Sequence, residues 1–503
     1  MAAGAGRTTP DDQQPSHIVA LARQTLVYGV SGIGLQAVGV VTLPVFARIF
    51  TQAQYGAFEL ATVLLSVALS IVDAGLGSAA QRSFFDYTET QAERRRSVIA
   101  TALAATGLLG VVVAIVLMAV RGQVAHWIFG REAGSLVLAV AISIPLVNVA
   151  NFLRETMRLR FRAWHYVVSS LIATVVTAGL GIAAATALDL DVRGVFVGVI
   201  VGNAIAMAYG ALVVRHDIGR HLSWPELKTM LRYGLPLVPA AVALWALALV
   251  DRIMLSRLGS LTEVGQYAVA NRIASVLLLL VTAFSLAFGP YILSIYSEDR
   301  ALERIVRVQT LRYVAVVLST GALLLTLFAR ELLDIVAPAF DAANRVVGLL
   351  TFSVVAFGLS TVLVAGISFA RRTGFLALVA GAAAVTNIAL NFALIPPFGI
   401  VGAAVANAAA YLLLAGLHYV VAQRLYPTAY ELGKVSAIVG LAYGFSLLGL
   451  IAFEPLAVSL VVKATAAAAF LVLLRATRLV LPTELERLRT LVVGIWRLRL
   501  SAT

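Results

Sequence analysis

Long apolar blocks alternate with short polar loops along this chain. The block from Thr101 to Val120 has no charged residue and ends at Arg121. About 20 such residues on a helix cross the ~30 Å hydrocarbon core of a bilayer. Repeated along the chain, the pattern predicts fourteen spans with cores near 24–47, 57–80, 98–120, 134–153, 166–187, 194–214, 232–256, 266–293, 311–329, 345–369, 374–395, 400–421, 434–452 and 456–475. We therefore predict an all-α membrane protein with about 14 transmembrane helices.

The basic residues of the loops predict an orientation. If the N-terminus lies in the cytoplasm, 28 of the 38 Lys and Arg residues fall in cytoplasmic segments and seven in the opposite loops. Positive charge concentrates in cytoplasmic loops because insertion retains it there. An error of one span in the middle of the chain would destroy this bias. Both termini are therefore predicted to be cytoplasmic.

The composition agrees with a membrane protein and excludes several other classes. The chain is 61% hydrophobic and 13% charged, whereas soluble chains carry roughly 25% charged residues. Because the Lys and Arg lie in the loops, the net charge of +13 predicts contact with membrane lipids rather than with nucleic acid. Cysteine is absent, the six histidines have no metal-ligand spacing, and no phosphate-binding loop occurs. We expect no catalytic residues, no metal and no cofactor.

Weak internal matches at an offset near 205 to 212 residues predict a repeat. They pair Tyr28-Gly29 with Tyr233-Gly234, Arg48-Ile49 with Arg252-Ile253, and Gly198 and Asn203 with Gly402 and Asn407. Because each unit has an even number of spans, both copies enter the membrane from the same side. The prediction is two parallel six-helix lobes related by a pseudo-two-fold axis along the membrane normal, an arrangement suited to alternating access.

The repeat divides the chain into five predicted segments. Residues 1–17 are polar and predicted to be a disordered cytoplasmic tail without a cleavable signal peptide. The lobes are predicted at 18–222 and 223–430, followed by two further helices at 431–476. In the tail at 477–503, leucines recur at three- and four-residue steps, which favours an amphipathic cytoplasmic helix over a frayed polar end.

Polar residues inside the spans are costly in lipid and are therefore candidate functional positions. They are Gln36, Glu59, Asp73, Asp251, Arg252, Asn271, Arg272 and Lys463, and Arg48 joins them at the end of the first span. Those near span ends could instead extend to the interface or pair with neighbours. Gly75 and Gly77 predict a bend beside Asp73. Pro44, Pro236 and Pro239 predict kinks that fit gates, although small residues there could serve only close helix packing.

Three segments resemble a known family. The run from Tyr233 to Pro239 with Asp251-Arg252, the triplet Gly265–Tyr267, and the run from Asn387 to Ala404 resemble Wzx-type flippases of lipid-linked oligosaccharides. These flippases belong to the multidrug/oligosaccharidyl-lipid/polysaccharide exporter superfamily. The resemblance implies a bacterial cytoplasmic membrane protein that moves a polyprenyl-diphosphate-linked glycan outward. Its implied partners are a polysaccharide polymerase and chain-length machinery.

The implied substrate assigns roles to the candidate residues. A diphosphate needs cationic partners, for which Arg guanidinium groups are suited, and a glycan needs hydrogen-bonding side chains. We assign the diphosphate to Arg48, Arg252 and Arg272, and the glycan to Gln36, Asn148, Asn151 and Asn271. Asp73, Glu59 and Asp251 are the candidate residues for ion coupling.

Three alternatives stay open. A multidrug exporter of the same superfamily would favour an acidic cavity for cationic drugs, whereas the predicted interior leans basic. A lipid II flippase is a nearer relative. A membrane polymerase or ligase would need a long outer loop with clustered catalytic residues, and the predicted loops are short. Neighbouring genes would separate these pathways.

Overall fold

The computed structural model describes residues 42–130, 133–235, 238–370, 372, 374–477 and 479. This part of the chain is helical and contains no strand. Residues 42–49 form α1, as far as it is described. The other helices are α2 (Gln52–Asp73), α3 (Leu76–Phe85), α4 (Ala92–Ala119), α5 (Arg121–Phe129), α6 (Gly134–Leu159), α7 (Ala163–Ala187), α8 (Asp191–Val214), α9 (Trp224–Gly234), α10 (Val238–Leu258), α11 (Leu261–Glu298), α12 (Arg300–Leu327), α13 (Ala329–Val336), α14 (Asn344–Phe369), α15 (Gly374–Leu425), α16 (Leu432–Ser446) and α17 (Leu456–Ala476).

The described residues include eleven helical segments long and apolar enough to cross a membrane. One of them, α15, is 52 residues long and covers two predicted spans. It breaks at Gly399, whose backbone has φ 53° and ψ −129° and which follows Pro396 and Pro397. The seventh predicted span lies on α10, and most of the first lies outside the described residues. The all-α membrane fold is confirmed.

Helix α2 begins with a capping box. The Thr51 hydroxyl accepts a hydrogen bond from the Gln54 amide at 3.3 Å, and the Gln54 side chain accepts one from the Thr51 amide at 2.9 Å. These bonds satisfy amides at the start of the helix that have no partner within it. Further along, the predicted bend beside Asp73 is confirmed, because Ala74 and Gly75 adopt left-handed conformations (φ 44° and 71°) that separate α2 from α3.

The chain divides into two compact units, Met1–Ala268 with Ala380–Ala403, and Val269–Val379 with Ala404–Thr503. We call them unit 1 and unit 2. In unit 1, a stripe of Gly194, Gly198 and Gly202 on α8 lies against the backbone of α7. A Cβ on Gly198 would stand 2.4 Å from the Thr177 carbonyl oxygen. Small residues allow such close approach between membrane helices, so the stripe fixes the α7–α8 pair.

The core of unit 2 is an apolar cluster centred on α12. Leu311, Leu318 and Leu323 are buried there together with Ile438 of α16 and Phe470 of α17. The two helices after the predicted repeat are thus packed into the apolar core of unit 2. The predicted boundaries of the lobes stay a prediction, and the predicted amphipathic tail lies outside the described residues apart from 477 and 479.

Lys463, the charge inside the last predicted span, is fully buried in unit 2. Its Nζ donates to both carboxylate oxygens of Glu331 in α13, at 2.6 and 2.8 Å. The Ser459 hydroxyl donates to the same carboxylate at 2.6 Å. The ion pair explains how α17 carries a lysine through apolar surroundings, and it ties α17 to α13.

Replacing Lys463 with methionine should destabilise the protein strongly, because Glu331 keeps its charge and loses its counter-ion. Breaking a buried pair from one side costs about 3–5 kcal/mol. The double variant Lys463→Met/Glu331→Gln should recover most of the lost stability. The control is Lys434→Met, which breaks a partly exposed pair with Glu431 and should cost under about 1 kcal/mol. Unfolding of the purified protein in detergent measures all three. Equal losses from Lys463→Met and Lys434→Met would contradict a stabilising role for the buried Lys463–Glu331 pair.

Candidate functional site

A polar cavity of about 370 Å³ lies within unit 1. Two carboxylates and two amides line it, together with small polar and apolar residues: Asp73, Glu155, Asn148, Asn151, Ser70, Ser78, Thr106, Gly75, Gly77, Leu69, Phe152, Val238 and Val242. Most ligand cavities are chiefly apolar with a few placed polar groups. This one fits that pattern, since its apolar lining surrounds two carboxylates and two amides.

The break in the second predicted span places Asp73 in this cavity. Asp73 is the last residue of α2, and its Oδ1 accepts a hydrogen bond from the Gly77 amide at 3.2 Å. Gly75 holds the break against α9, since a Cβ there would stand 2.6 Å from the Gly234 carbonyl oxygen. Glycine is therefore required at 75 by both its positive φ and the close approach.

Three further polar side chains reach the cavity from one face of α6. Asn148, Asn151 and Glu155 are spaced three and four residues apart, which places them on the same side of the helix. The Asn148 amide is buried and donates to the Thr106 carbonyl oxygen at 3.0 Å. The Asn151 side-chain oxygen Oδ1 accepts a hydrogen bond from the Arg154 guanidinium group. Amides and carboxylates together offer donors and acceptors suited to hydroxyl groups.

Elsewhere in unit 1, Glu59 of α2 and Arg252 of α10 form a buried ion pair. Arg252 Nε lies 3.0 Å from Glu59 Oε1, and the Arg252 side chain is 3% exposed. Arg252 also donates to the Ala248 carbonyl oxygen at 2.5 Å and lies over the Tyr267 ring, 5.7 Å from its centroid. In this conformation the charge of Arg252 is balanced by a carboxylate.

Asp251, the neighbour of Arg252, belongs to a separate buried network. Its Oδ1 accepts a hydrogen bond from Asn391 at 2.7 Å, and its Oδ2 accepts one from the Tyr267 hydroxyl at 2.7 Å. Asn391 also donates to Asn387 Oδ1 at 3.1 Å. All four side chains are at most 1% exposed. The network joins α10, α11 and α15 inside unit 1.

The structure brings only some of the predicted site residues together. Asp73, Asn148 and Asn151 share the polar cavity, whereas Glu59, Asp251 and Arg252 lie in the buried pair and network. Arg48 is exposed near the end of α1, which also contains Pro44, and Asn271 and Arg272 are half-buried in α11 within unit 2. Gln36 and Pro236 lie outside the described residues, and Pro239 belongs to the first turn of α10. The roles assigned to these residues stay predictions.

Sequence reasoning missed Glu155, Asn387 and Asn391 as site residues. Glu155 stands among the arginines that follow the fourth predicted span, which ends at 153, whereas α6 continues to Leu159. Asn387 and Asn391 are four residues apart in an otherwise apolar run, a visible signal of a shared buried face. Within the described residues, no group of three or more His, Cys, Asp or Glu side chains is arranged to hold a metal ion.

Comparisons with known proteins agree with this fold. A family model described as "Polysaccharide biosynthesis protein" matches residues 21–296, more than half of the chain. A probable low-salt glycan biosynthesis flippase, Agl15 of Haloferax volcanii, is 22% identical over 404 residues, covering 79% of this chain and 82% of that protein.

Two solved structures have the same fold. The lipid II flippase MurJ in an inward closed conformation has a TM-score of 0.69 at 13% identity, covering 88% of this chain and 98% of that chain. An inward-facing multidrug resistance transporter of the MATE family has a TM-score of 0.59 at 15% identity, covering 82% and 95%.

The apolar helices and the fold define a multi-pass membrane protein. More narrowly, the chain belongs to the polysaccharide biosynthesis protein family. The resemblance to oligosaccharide flippases that the motifs indicate is confirmed at this level.

Proposed function

We propose that this protein moves a polyprenyl-diphosphate-linked oligosaccharide from the cytoplasmic to the outer leaflet by alternating access. The observation that carries the proposal is the polar cavity of unit 1, in which two predicted glycan-binding residues, Asn148 and Asn151, stand beside the acidic residues Asp73 and Glu155. Sugar hydroxyls both donate and accept, and this lining can satisfy both roles. The family and the glycan flippase relative support a glycan substrate.

The diphosphate needs a cation that the cavity lining does not supply. Arg48, Arg252 and Arg272 remain our candidates for that role. Arg252 is balanced by Glu59 in this conformation, so it would meet the diphosphate only after the pair separates. In this scheme substrate binding and separation of the pair are one step, because the diphosphate replaces the Glu59 carboxylate as the counter-ion.

The driving force can come from the membrane potential. An anion moving outward from a negative interior gains about 2.3 kcal/mol per charge per 100 mV. Asp73 is our candidate for an additional coupled cation, since it ends α2 at the helix break and lines the cavity. Asp251 is the alternative, because its carboxylate is fully buried and accepts hydrogen bonds from Asn391 and Tyr267.

Removing a cavity amide should slow flipping. Asn151→Ala deletes one neutral hydrogen-bonding group, worth ~1 kcal/mol, so the rate at low substrate should fall about fivefold. Proteoliposomes containing a polyprenyl-diphosphate oligosaccharide measure this, with glycan exposure read by a lectin added outside. Asn203→Ala is the matched control, because Asn203 bonds within its own helix to the Val199 carbonyl oxygen and lies outside this cavity. An unchanged rate for Asn151→Ala with intact binding would remove the cavity from the glycan path.

The acidic lining favours one second candidate, an exporter of cationic amphiphiles. Asp73 and Glu155 are the charged residues lining the cavity, and paired carboxylates would attract a cation. The double variant Asp73→Asn/Glu155→Gln separates the two functions. A cation exporter would lose protection of cells against cationic drugs, whereas a glycan flippase would accumulate the lipid-linked glycan in the cytoplasmic leaflet and leave drug sensitivity unchanged.

A further inference from the structure

A second cavity, of about 790 Å³, lies in unit 2 between the first half of α12 and the segment that joins α15 to α16. We call it the α12 cavity. Its polar lining includes Arg304, Gln309, Arg312 and Gln423, and its apolar lining includes Ile305 and Val308. The basic residues of this end of α12 belong to the set predicted to face the cytoplasm. On that prediction, the cavity lies where α12 leaves the span at 311–329, at the depth of lipid headgroups.

A buried ion pair on α12 lies next to the residues that line the cavity. Arg307 and Glu303 are fully buried one helical turn apart, with Arg307 Nε 2.8 Å from Glu303 Oε1. Arg307 also donates to the Thr428 hydroxyl and lies 5.0 Å from the Tyr426 ring centroid and 5.5 Å from that of Tyr430. These contacts fix the 426–430 segment against α12. Burial raises the pKa of Tyr430 to about 12, so its hydroxyl stays neutral.

The charge of the lining is positive. Arg304 and Arg312 face one acidic lining residue, Glu431, which accepts from Arg312 at 2.6 Å. Lys434 donates to the same carboxylate at 2.7 Å. The hydrogen bond from Lys434 lowers the pKa of Glu431, so this carboxylate is ionised and balanced by both cations. Arg304 is exposed and stacks over the Tyr426 ring at 4.9 Å, which orients its guanidinium group.

An apolar surface continues from the cavity along α12. Leu302 and Ile305 are 47% and 56% exposed on the same turn of helix as Arg304. Isolated exposed apolar residues need no explanation in a soluble protein. Beside a basic cavity at headgroup depth they provide a surface for an acyl chain. A single ligand that needs both features has an anionic head and an apolar tail.

We propose that the α12 cavity binds an anionic phospholipid, with the phosphate on Arg304 and Arg312, the headgroup hydroxyls on Gln309, and the acyl chain along Ile305. Basic pockets between membrane helices on the cytoplasmic side are suited to acidic headgroups. Charge-assisted bonds from guanidinium to phosphate are about twice as strong as neutral ones. The site is separate from the cavity of unit 1 and does not depend on the transported substrate.

Binding of defined lipids to the purified, delipidated full chain tests the proposal. The probes are phosphatidylglycerol, the zwitterionic phosphatidylcholine and inorganic phosphate, with bound lipid counted by native mass spectrometry. Phosphatidylglycerol should bind at least tenfold more tightly than phosphatidylcholine. Arg304→Gln should weaken it about tenfold, as expected for one lost charge-assisted bond, and Gln309→Ala should weaken it less.

Arg300→Gln is the matched control, because Arg300 is exposed on the same helix, stacks on Tyr296 and is not part of the cavity lining. Equal binding of the two phospholipids would overturn the proposal, as would an equal loss from Arg300→Gln and Arg304→Gln. Inorganic phosphate that displaces phosphatidylglycerol at equal concentration would overturn the assignment to a lipid. Unchanged unfolding midpoints without lipid will establish that the variants are folded.

Discussion

Replacing Glu59 with glutamine is expected to lower the free energy of unfolding by about 3–5 kcal/mol, because it leaves Arg252 buried without its counter-ion. The pair is short, at 3.0 Å, and both side chains are nearly inaccessible. The surface pair Arg96–Glu93 is the control. It has a similar distance, 2.9 Å, but its side chains are 46% and 78% exposed, so Glu93→Gln should cost under about 1 kcal/mol.

The double variant Glu59→Met/Arg252→Met separates stability from transport. Replacing both charges with apolar groups of similar size removes the unpaired charge, so most of the lost stability should return. Transport should not return, because our proposed function gives Arg252 a second role as counter-ion of the diphosphate. Unfolding in detergent and flipping in proteoliposomes measure the two effects on the same preparations. A double variant that flips at the native rate would show that Arg252 does not contact the substrate.

The spans could be predicted from the sequence because each depends on local composition. A block such as Thr101–Val120 needs no partner to be recognised, and the bend at Asp73 was visible in the adjacent glycines. Lys463 was visible as a misplaced charge, but its partner was not. Glu331 lies 132 residues away on a short helix that is not a predicted span, and no local pattern links the two.

The residue types of the site could be predicted from the sequence, whereas which of these residues contact one another could not. Asp251 and Arg252 are adjacent in sequence, and both were candidates because charge is rare in spans. Adjacent positions on a helix point about 100° apart, so the two side chains enter different surroundings. Arg252 meets Glu59, 193 residues away, and Asp251 meets Asn391, 140 residues away. Which side chains share a cavity follows from packing between distant helices, and that packing also brings Asp73 of α2 to Asn148 of α6.

Helices α2 and α11 cross at a very short distance in unit 1. Gly56 of α2 and Gly265 of α11 face each other with almost no space between the backbones. A Cβ on Gly56 would stand 2.0 Å from the Leu261 carbonyl oxygen, and one on Gly265 would stand 2.1 Å from the Gln52 carbonyl oxygen. Both obstacles are backbone atoms, so no side-chain rotation can relieve them.

Gly56→Ala is therefore expected to force α2 and α11 apart by more than about 1 Å and to destabilise the protein by several kcal/mol, beyond the 1–3 kcal/mol typical of overpacking. Gly179→Ala is the matched control, since Gly179 is inside α7 with no atom within 4 Å of the added Cβ. There alanine should be neutral or stabilise by up to about 1 kcal/mol through its helix propensity. The unfolding midpoint should fall for Gly56→Ala and stay the same or rise for Gly179→Ala. The flipping rate should likewise fall for Gly56→Ala and not for Gly179→Ala. If Gly56→Ala matches Gly179→Ala in both measurements, the two helices do not cross at this distance.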